Sequence, residues 1–458
     1  MMKKIVARAL IGIMITYSVS FAEQAVQTVK KQQKNIKTVS QDSQEADTSD
    51  IEMPSGMLKN LFPNNPISTF TDMLADSGID VSLSFGSTYQ VNVHGGVDTE
   101  DAQRGTGCYD FEMEFDLNKL LGIKGATIYA LAEGGFGNGL DEAEKTGTLF
   151  GTNENAIGHR SVDLLELWYQ QELFDGKLTI KIGKMDISGG FEANGCPVAF
   201  DCNCFANDET SQFMNGALVN NPTIPFPDYG LGIAIFYNPV DWFYCSAGIA
   251  DAQADYRETG FNTAFHDESY FFYIFEFGFV PKFDILSSKN CKGAYRFGIW
   301  YDPQPKEKYF NDLGGRLAAK YRTDDVGFYI SFDQMIYREN NEDEQGLAVF
   351  CRYGFAPGDV NEIEHFWSIG GQYKGLIKGR DEDVLGLGIA QGLISNELGY
   401  YRGEHPERET VVELYYNIKV AEWINVSPDI QYIFNPGGRG EDSGSDCLLL
   451  GIRVQMTF

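Results

Sequence analysis

The chain has 458 residues, 43% hydrophobic and 14% aromatic, too apolar for disorder throughout and sufficient for a large core or a wide apolar belt. With 36 basic residues against 65 acidic ones its formal charge is −29, which excludes a nucleic-acid partner.

Lys3, Lys4 and Arg8 precede an apolar run from Ala9 to Val19 and then Ser20-Phe21-Ala22, the pattern of a signal peptide over residues 1–22, cleaved after Ala22. That run is well short of the roughly 20 residues of a spanning helix. No later stretch is long and apolar enough either, so a chain that crosses a membrane must do so as a closed barrel, in which every backbone polar group is paired internally.

Residues 23–67 form a polar leader, as in Lys30-Lys31-Gln32-Gln33-Lys34; it reads either as a flexible segment or as a periplasmic tether. Over 68–79, the helical spacing of Phe70, Met73 and Leu74 predicts a short helix that caps or plugs a lumen.

From 80 to 458 the pattern is that of one all-β domain, a transmembrane antiparallel β-barrel with inward-folded external loops. Val81, Leu83, Phe85, Tyr89, Val91 and Val93 alternate with Ser82, Ser84, Gly86, Thr88, Gln90 and Asn92. The next run turns Glu112, Glu114 and Asp116 inward. Gly134 to Gly139 is glycine-rich, but no helix pattern follows it, so it reads as a turn and not a phosphate loop. Further on, Leu165, Leu167 and Tyr169 are placed toward lipid, which turns Glu166 and Trp168 inward. Trp168 then either offers a flat face to a sugar ring or packs an inward loop against the wall. After the tight turn Phe174-Asp175-Gly176-Lys177, Lys181 is inward on the returning strand.

Ser188 to Asp228 is about 40 residues long, far more than a turn needs. It is read as a constriction loop folded into the lumen or as a surface loop contacting a neighbouring subunit. Asp201, Asn203, Asn207, Asp208 and Glu209 supply acceptors for hydroxyl groups there, beside the rings of Phe200, Phe205 and Phe213. Cys196, Cys202 and Cys204 lie in the same segment with no nearby histidine. A bracing disulfide, which Cys108 of another external loop could join, is favoured over a metal site, and connectivity stays open.

Arg296, Trp300, Asp333 and Arg352 fall on inward positions of later strands. A literal count gives seventeen strands if Arg316 to Arg322 is one of them. Parity removes it: with the last strand descending to the periplasm, Arg338 to Gln345 becomes a periplasmic turn and Pro303 to Asp325 one external loop. Sixteen strands remain. The final run is the clearest, with Leu448, Leu450, Ile452, Val454, Met456 and Phe458 on one face and Leu449, Gly451, Arg453, Gln455 and Thr457 on the other.

The sequence also resembles the carbohydrate-selective outer-membrane porins of the OprB family. The resemblance rests on Leu165-Glu166-Leu167-Trp168 leading to Ile182-Gly183-Lys184-Met185-Asp186, and on Gly371 to Gly388 with Gly379-Arg380-Asp381-Glu382-Asp383. It continues through Glu413-Leu414-Tyr415-Tyr416 and Pro428 to Gly438, followed by Leu450-Gly451-Ile452-Arg453. It implies a sixteen-stranded barrel, often a homotrimer, whose inward loops admit monosaccharides and other small hydrophilic solutes. The surroundings would be bilayer and lipopolysaccharide. Eight cysteines and the polar leader depart from that pattern.

No enzyme signature accompanies these features: His94, His159, His266, His365 and His405 are scattered over proposed loops, and no nucleophile elbow or dinucleotide fingerprint occurs. No cofactor or metal is expected. The function expected is passive diffusion through a lumen whose opposed acids and bases orient polar solutes. The alternative is a structural barrel that tethers the envelope through its leader or adheres through its loops.

Overall fold

The computed structural model describes residue 65 and residues 67–458, apart from 142–143, 189–190, 194–195, 199–203, 209, 258–268, 286–287, 310–320, 341–343, 403–406 and 439–444. The signal peptide and nearly all of the leader lie outside the described residues.

Sixteen strands form the barrel. In chain order they are β1 (Ile79–Gly96), β2 (Gln103–Asp116), β3 (Ala126–Phe136), β4 (Arg160–Leu173), β5 (Leu178–Met185), β6 (Gly230–Val240), β7 (Phe243–Asp251) and β8 (Phe271–Phe279). They continue as β9 (Ser288–Asp302), β10 (Asp325–Arg338), β11 (Gly346–Phe355), β12 (Ile363–Lys374), β13 (Val384–Ile394), β14 (Arg408–Ala421), β15 (Ile424–Phe434) and β16 (Ser445–Thr457). Each pairs antiparallel with the next, and β16 closes on β1 from Ser84↔Thr457 to Gly96↔Ser445. Closure leaves no sheet edge exposed to lipid.

The period of two decides which face each side chain takes. Tyr89, Phe111, Leu167, Ile233, Phe275, Ile330, Leu387 and Ile452 stand exposed on the outer face. On the inner face, Gln90, Lys181, Glu276, Arg352, Glu413 and Arg453 are buried. Inward aromatics lie flat on glycines of the neighbouring strand: a Cβ on Gly298 would sit 2.0 Å from the ring of Tyr329, so only glycine admits the ring there. Near one rim Trp242 stacks on Phe279 with centroids 6.2 Å apart, and Trp423 packs on Phe458 at 5.2 Å, as in the aromatic girdle of such barrels.

Connections alternate in length. Phe174 to Lys177, Asp241-Trp242 and Glu422-Trp423 are tight, whereas 137–159, 186–229 and 303–324 are long, which places the tight turns on the periplasmic side. Tyr321–Arg322 pairs only with Lys306–Glu307, inside the loop between β9 and β10, so it is not a wall strand. At the periplasmic end, helix α1 (Ser68–Asp76) has no buried residue, and Lys119 Nζ donates to Ala75 O at 3.0 Å from the turn that holds helix α2 (Leu117–Leu121).

One local expectation is corrected. Leu165 does not face lipid: Leu131 pairs with Glu166 while Ala132 pairs with Leu164, so Leu165 is the extra residue of a β-bulge and is fully buried. Leu164 takes the lipid side in its place, and Glu166 and Trp168 stay on the inner face because the bulge ends before them.

Candidate functional site

In the loop between β5 and β6, residues 210–219 fold into the barrel and include helix α3 (Gly216–Val219), whose four residues are all buried. Asn215 caps the turn, its Oδ1 accepting the Ala217 N–H at 3.0 Å, while its Nδ2 donates to Gln431 Oε1 at 3.0 Å. Glu413 on β14 accepts the N–H groups of Met214 at 2.6 Å and Asn215 at 2.9 Å. At the other end, Arg352 on β11 donates to the carbonyls of Leu218 at 3.3 Å and Val219 at 3.2 Å, and also to Asn207 Oδ1. Arg453 donates to Gln212 O at 2.7 Å and Asn417 Nδ2 to Ser211 O at 2.8 Å. Phe213 sits edge-on to Phe350 and Tyr415, with centroids 5.7 and 4.9 Å away. Backbone groups that would be stranded inside a barrel are thus satisfied by inward side chains of the wall.

The loop of 137–159 interlocks with the first. Gly216 donates to Gly151 O at 2.7 Å and Glu154 N to Met214 O at 3.0 Å. Glu409 anchors this second loop, accepting the N–H groups of Leu149 at 2.8 Å and Gly437 at 2.6 Å and the Thr148 hydroxyl. Glu154 lies in the seam, where Asn220 Nδ2 donates to it at 3.2 Å; burial, then the charge of Asp141, pushes its carboxyl up to about 7.

The wall on β2 to β5 carries a concentration of charged side chains. Asp110 accepts from Ser84 at 2.7 Å, Glu112 from the Tyr129 hydroxyl at 2.8 Å, and Glu133 from Arg160 at 3.0 Å; Glu114 and Asp116 continue along β2 toward the periplasm. Trp168 stacks on Tyr129, centroids 4.8 Å apart at 19°, with Lys181 Nζ 4.3 Å from its ring centroid. Its N–H donates to Glu166 at 2.8 Å, and Lys181 lies 4.0 Å from that carboxylate. Because Tyr129 and Lys181 come from the strands on either side of β4, both faces of Trp168 are covered. Trp168 also packs against the buried cluster that holds Met185 and, from the inward loop, Ile187 and Ile224.

On the far wall Arg296 and Asp333 make a fully buried ion pair at 2.6 Å, and Trp300 lies flat over Gly327. A cavity of ≈ 130 Å³ opens beneath the inward loop, lined by Phe205, Lys292, Asp333, Glu344, Gln372 and Lys374 among others.

Among the loop residues named from sequence, Phe205 reaches this cavity. Asp208 instead holds its own turn together, accepting from the Thr210 N–H at 2.9 Å and the Ser211 N–H at 3.1 Å. Phe200, Asp201, Asn203 and Glu209 lie outside the described residues. Cys204 is disulfide-bonded, and Cys202 and the side chain of Cys196 lie outside the described residues. Cys108 does not join a disulfide and is not in a loop: it sits on β2, where its thiol donates to Asn155 Oδ1 at 3.5 Å. Sequence reasoning missed the anchors Glu409, Glu413, Gln431 and Glu154. For the three on strands, the available signal was a long polar side chain on the inward parity of an otherwise apolar strand.

The family model for "Carbohydrate-selective porin, OprB family" matches residues 101–458. Porin B of Pseudomonas aeruginosa is 25% identical over 414 residues, 84% of this chain and 88% of that protein. A putative porin, QuiX, of Acinetobacter baylyi is 22% identical over 84% of this chain and 90% of its own length. Among solved structures, the high-pH structure of Pseudomonas putida OprB superposes with a TM-score of 0.72 at 21% identity, covering 85% of this chain and 97% of that one.

Proposed function

Because the chain belongs to the carbohydrate-selective OprB porin family and is an outer-membrane barrel, we propose that it is a passive channel preferring monosaccharides among small hydrophilic solutes. The observation that carries this reading is the inward turn of 214–219, held inside the barrel between Glu413 and Arg352, which supports a constricted passage for polar solutes. Glu112, Glu114, Glu166 and Lys181 are its charged lining on one side, and Phe205 of the inward loop faces the solute on the other. Trp300 and Arg296 shape the wall, and Asp333, paired with Arg296, also lines the cavity beneath the loop.

The same proposal includes an exported precursor cleaved after Ala22, a polar periplasmic leader, a homotrimer and lipopolysaccharide around the outer rim. Chemical crosslinking of the native membrane reads the trimer as a band at three times the monomer mass.

Liposome swelling with the refolded mature protein tests the channel. Glucose entering faster than a polyol of matched size supports a carbohydrate-selective lumen. Dependence on size alone reduces the reading to a general diffusion pore. Absence of swelling from a correctly folded barrel overturns it in favour of a structural, envelope-tethering barrel.

A further inference from the structure

The cavity beneath the inward loop has an unequal supply of hydrogen-bonding groups. Its acceptors are in use. Asp333 is taken by Arg296 at 2.6 Å, and Gln372 Oε1 accepts the Tyr415 hydroxyl at 3.1 Å. Its donors are not. Two ammonium groups enter from the periplasmic ends of β9 and β12. Lys292 is paired at 3.2 Å with Glu344, whose side chain is 70% exposed, and Lys374 at 3.0 Å with Glu382, whose side chain is 67% exposed. Pairs to such exposed carboxylates are screened by water and open at little cost. Gln372, whose amide nitrogen is a third donor, lines the same cavity as Phe205.

A neutral sugar needs donors and acceptors in balance. Here Asp333 is neutralised by Arg296, and once exposed Glu344 swings to water the site offers two cations and an amide N–H₂, which complement an anionic oxygen pair. We propose that this chamber is a periplasm-side station for sugar acids, solutes that join a carboxylate to a polyhydroxylated body. The carboxylate lies between Lys292 and Lys374, displacing Glu344 and Glu382 toward water, and the hydroxylated carbons lie against Phe205 with Gln372 donating to them. The chamber is a point of dwell on the exit side and is separate from the acidic wall of β2 to β4. This inference rests on the channel reading and refines the solute class that the channel holds.

The test is isotope flux into liposomes carrying the full mature protein, with gluconate and glucose each titrated at zero membrane potential. Gluconate flux is expected to saturate. In K292Q/K374Q its half-saturating concentration rises at least about tenfold, the loss expected for even one charge-assisted hydrogen bond, while glucose flux is unchanged. In E344Q, which releases Lys292, the half-saturating concentration falls. Linear gluconate flux that K292Q/K374Q leaves untouched, with glucose still crossing, overturns the station alone. Failure of glucose to cross in a folded barrel overturns the channel reading instead. Should the double variant not fold, as judged by heat-modifiable migration, K374Q at the exposed end of β12 carries the same comparison.

Discussion

Glu413 on the barrel wall accepts the backbone N–H of Asn215 at 2.9 Å, and with the Met214 N–H at 2.6 Å on its other oxygen it holds the start of the single helical turn inside the lumen. Both donors are buried, so removing the carboxylate strands them at a cost of about 1–3 kcal/mol each. Glu413→Ala is therefore expected to release the loop and raise single-channel conductance, while Glu413→Gln, which keeps one acceptor oxygen, gives an intermediate value. Conductance equal to the parent's in Glu413→Ala, measured in planar bilayers, would show that the loop is held elsewhere.

Arg352 holds the far end of the same turn through the carbonyls of Leu218 and Val219. Replacing it with Met keeps much of the volume and removes every donor, leaving two buried carbonyls short of a partner. Because Glu413 and Arg352 grip one rigid turn, their effects on loop release should be strongly non-additive. Once either grip is gone the second has little left to hold, so the double variant should conduct scarcely more than the more open single variant. A simple sum of the two effects would refute the shared-turn picture.

Glu154 gives the constriction a pH dependence. Its carboxyl is raised to about 7 in the folded loops, chiefly by burial, against an unfolded value near 4.5. The folded state therefore holds the proton more tightly. Loop closure is most stable below about pH 4.5 and loses stability as pH climbs to about 7, with a total loss on the order of 3 kcal/mol. Limited proteolysis of the 137–159 loop should accelerate across that window in the parent and stay flat in Glu154→Gln. Identical pH profiles for the two proteins would remove Glu154 as the cause.

Barrel, strand number and the turn pattern were legible in the sequence because a wall strand between lipid and lumen must alternate, as Leu448 to Phe458 does, and because closure demands an even count. The bulge at Leu165 was not legible. It exists only relative to β3, where Ala132 slips to pair with Leu164. Trp168 was readable as inward, but not that Tyr129 and Lys181 on the adjoining strands would cover its faces. The anchors were hidden by distance along the chain: Glu413 and Met214 are 199 residues apart, and nothing local to either marks the other. Loop Arg and Glu contacts of this kind follow from the closed barrel, which local pattern can announce but not dimension.

Charge is distributed unequally around the lumen. Asp110, Glu112 and Glu114 line the inner face of β2, whereas Lys292 and Lys374 stand near β10, eight strands away and so on the opposite side of a sixteen-stranded ring. Carboxylates along one wall concentrate cations there, and the field points across the pore from the lysine side to the acidic side. The chain's formal charge of −29 works in the same direction. A salt gradient across a bilayer should then give a reversal potential of cation-selective sign, weakened by added salt as the Debye length falls below about 10 Å. D110N/E112Q/E114Q removes the acidic column while leaving the loop anchors intact, and should carry the reversal potential toward zero or into the anion-selective range set by the lysines. A parent channel that prefers anions would contradict the assignment of this wall. A cation preference unchanged in the triple variant would move the selectivity to the external loops.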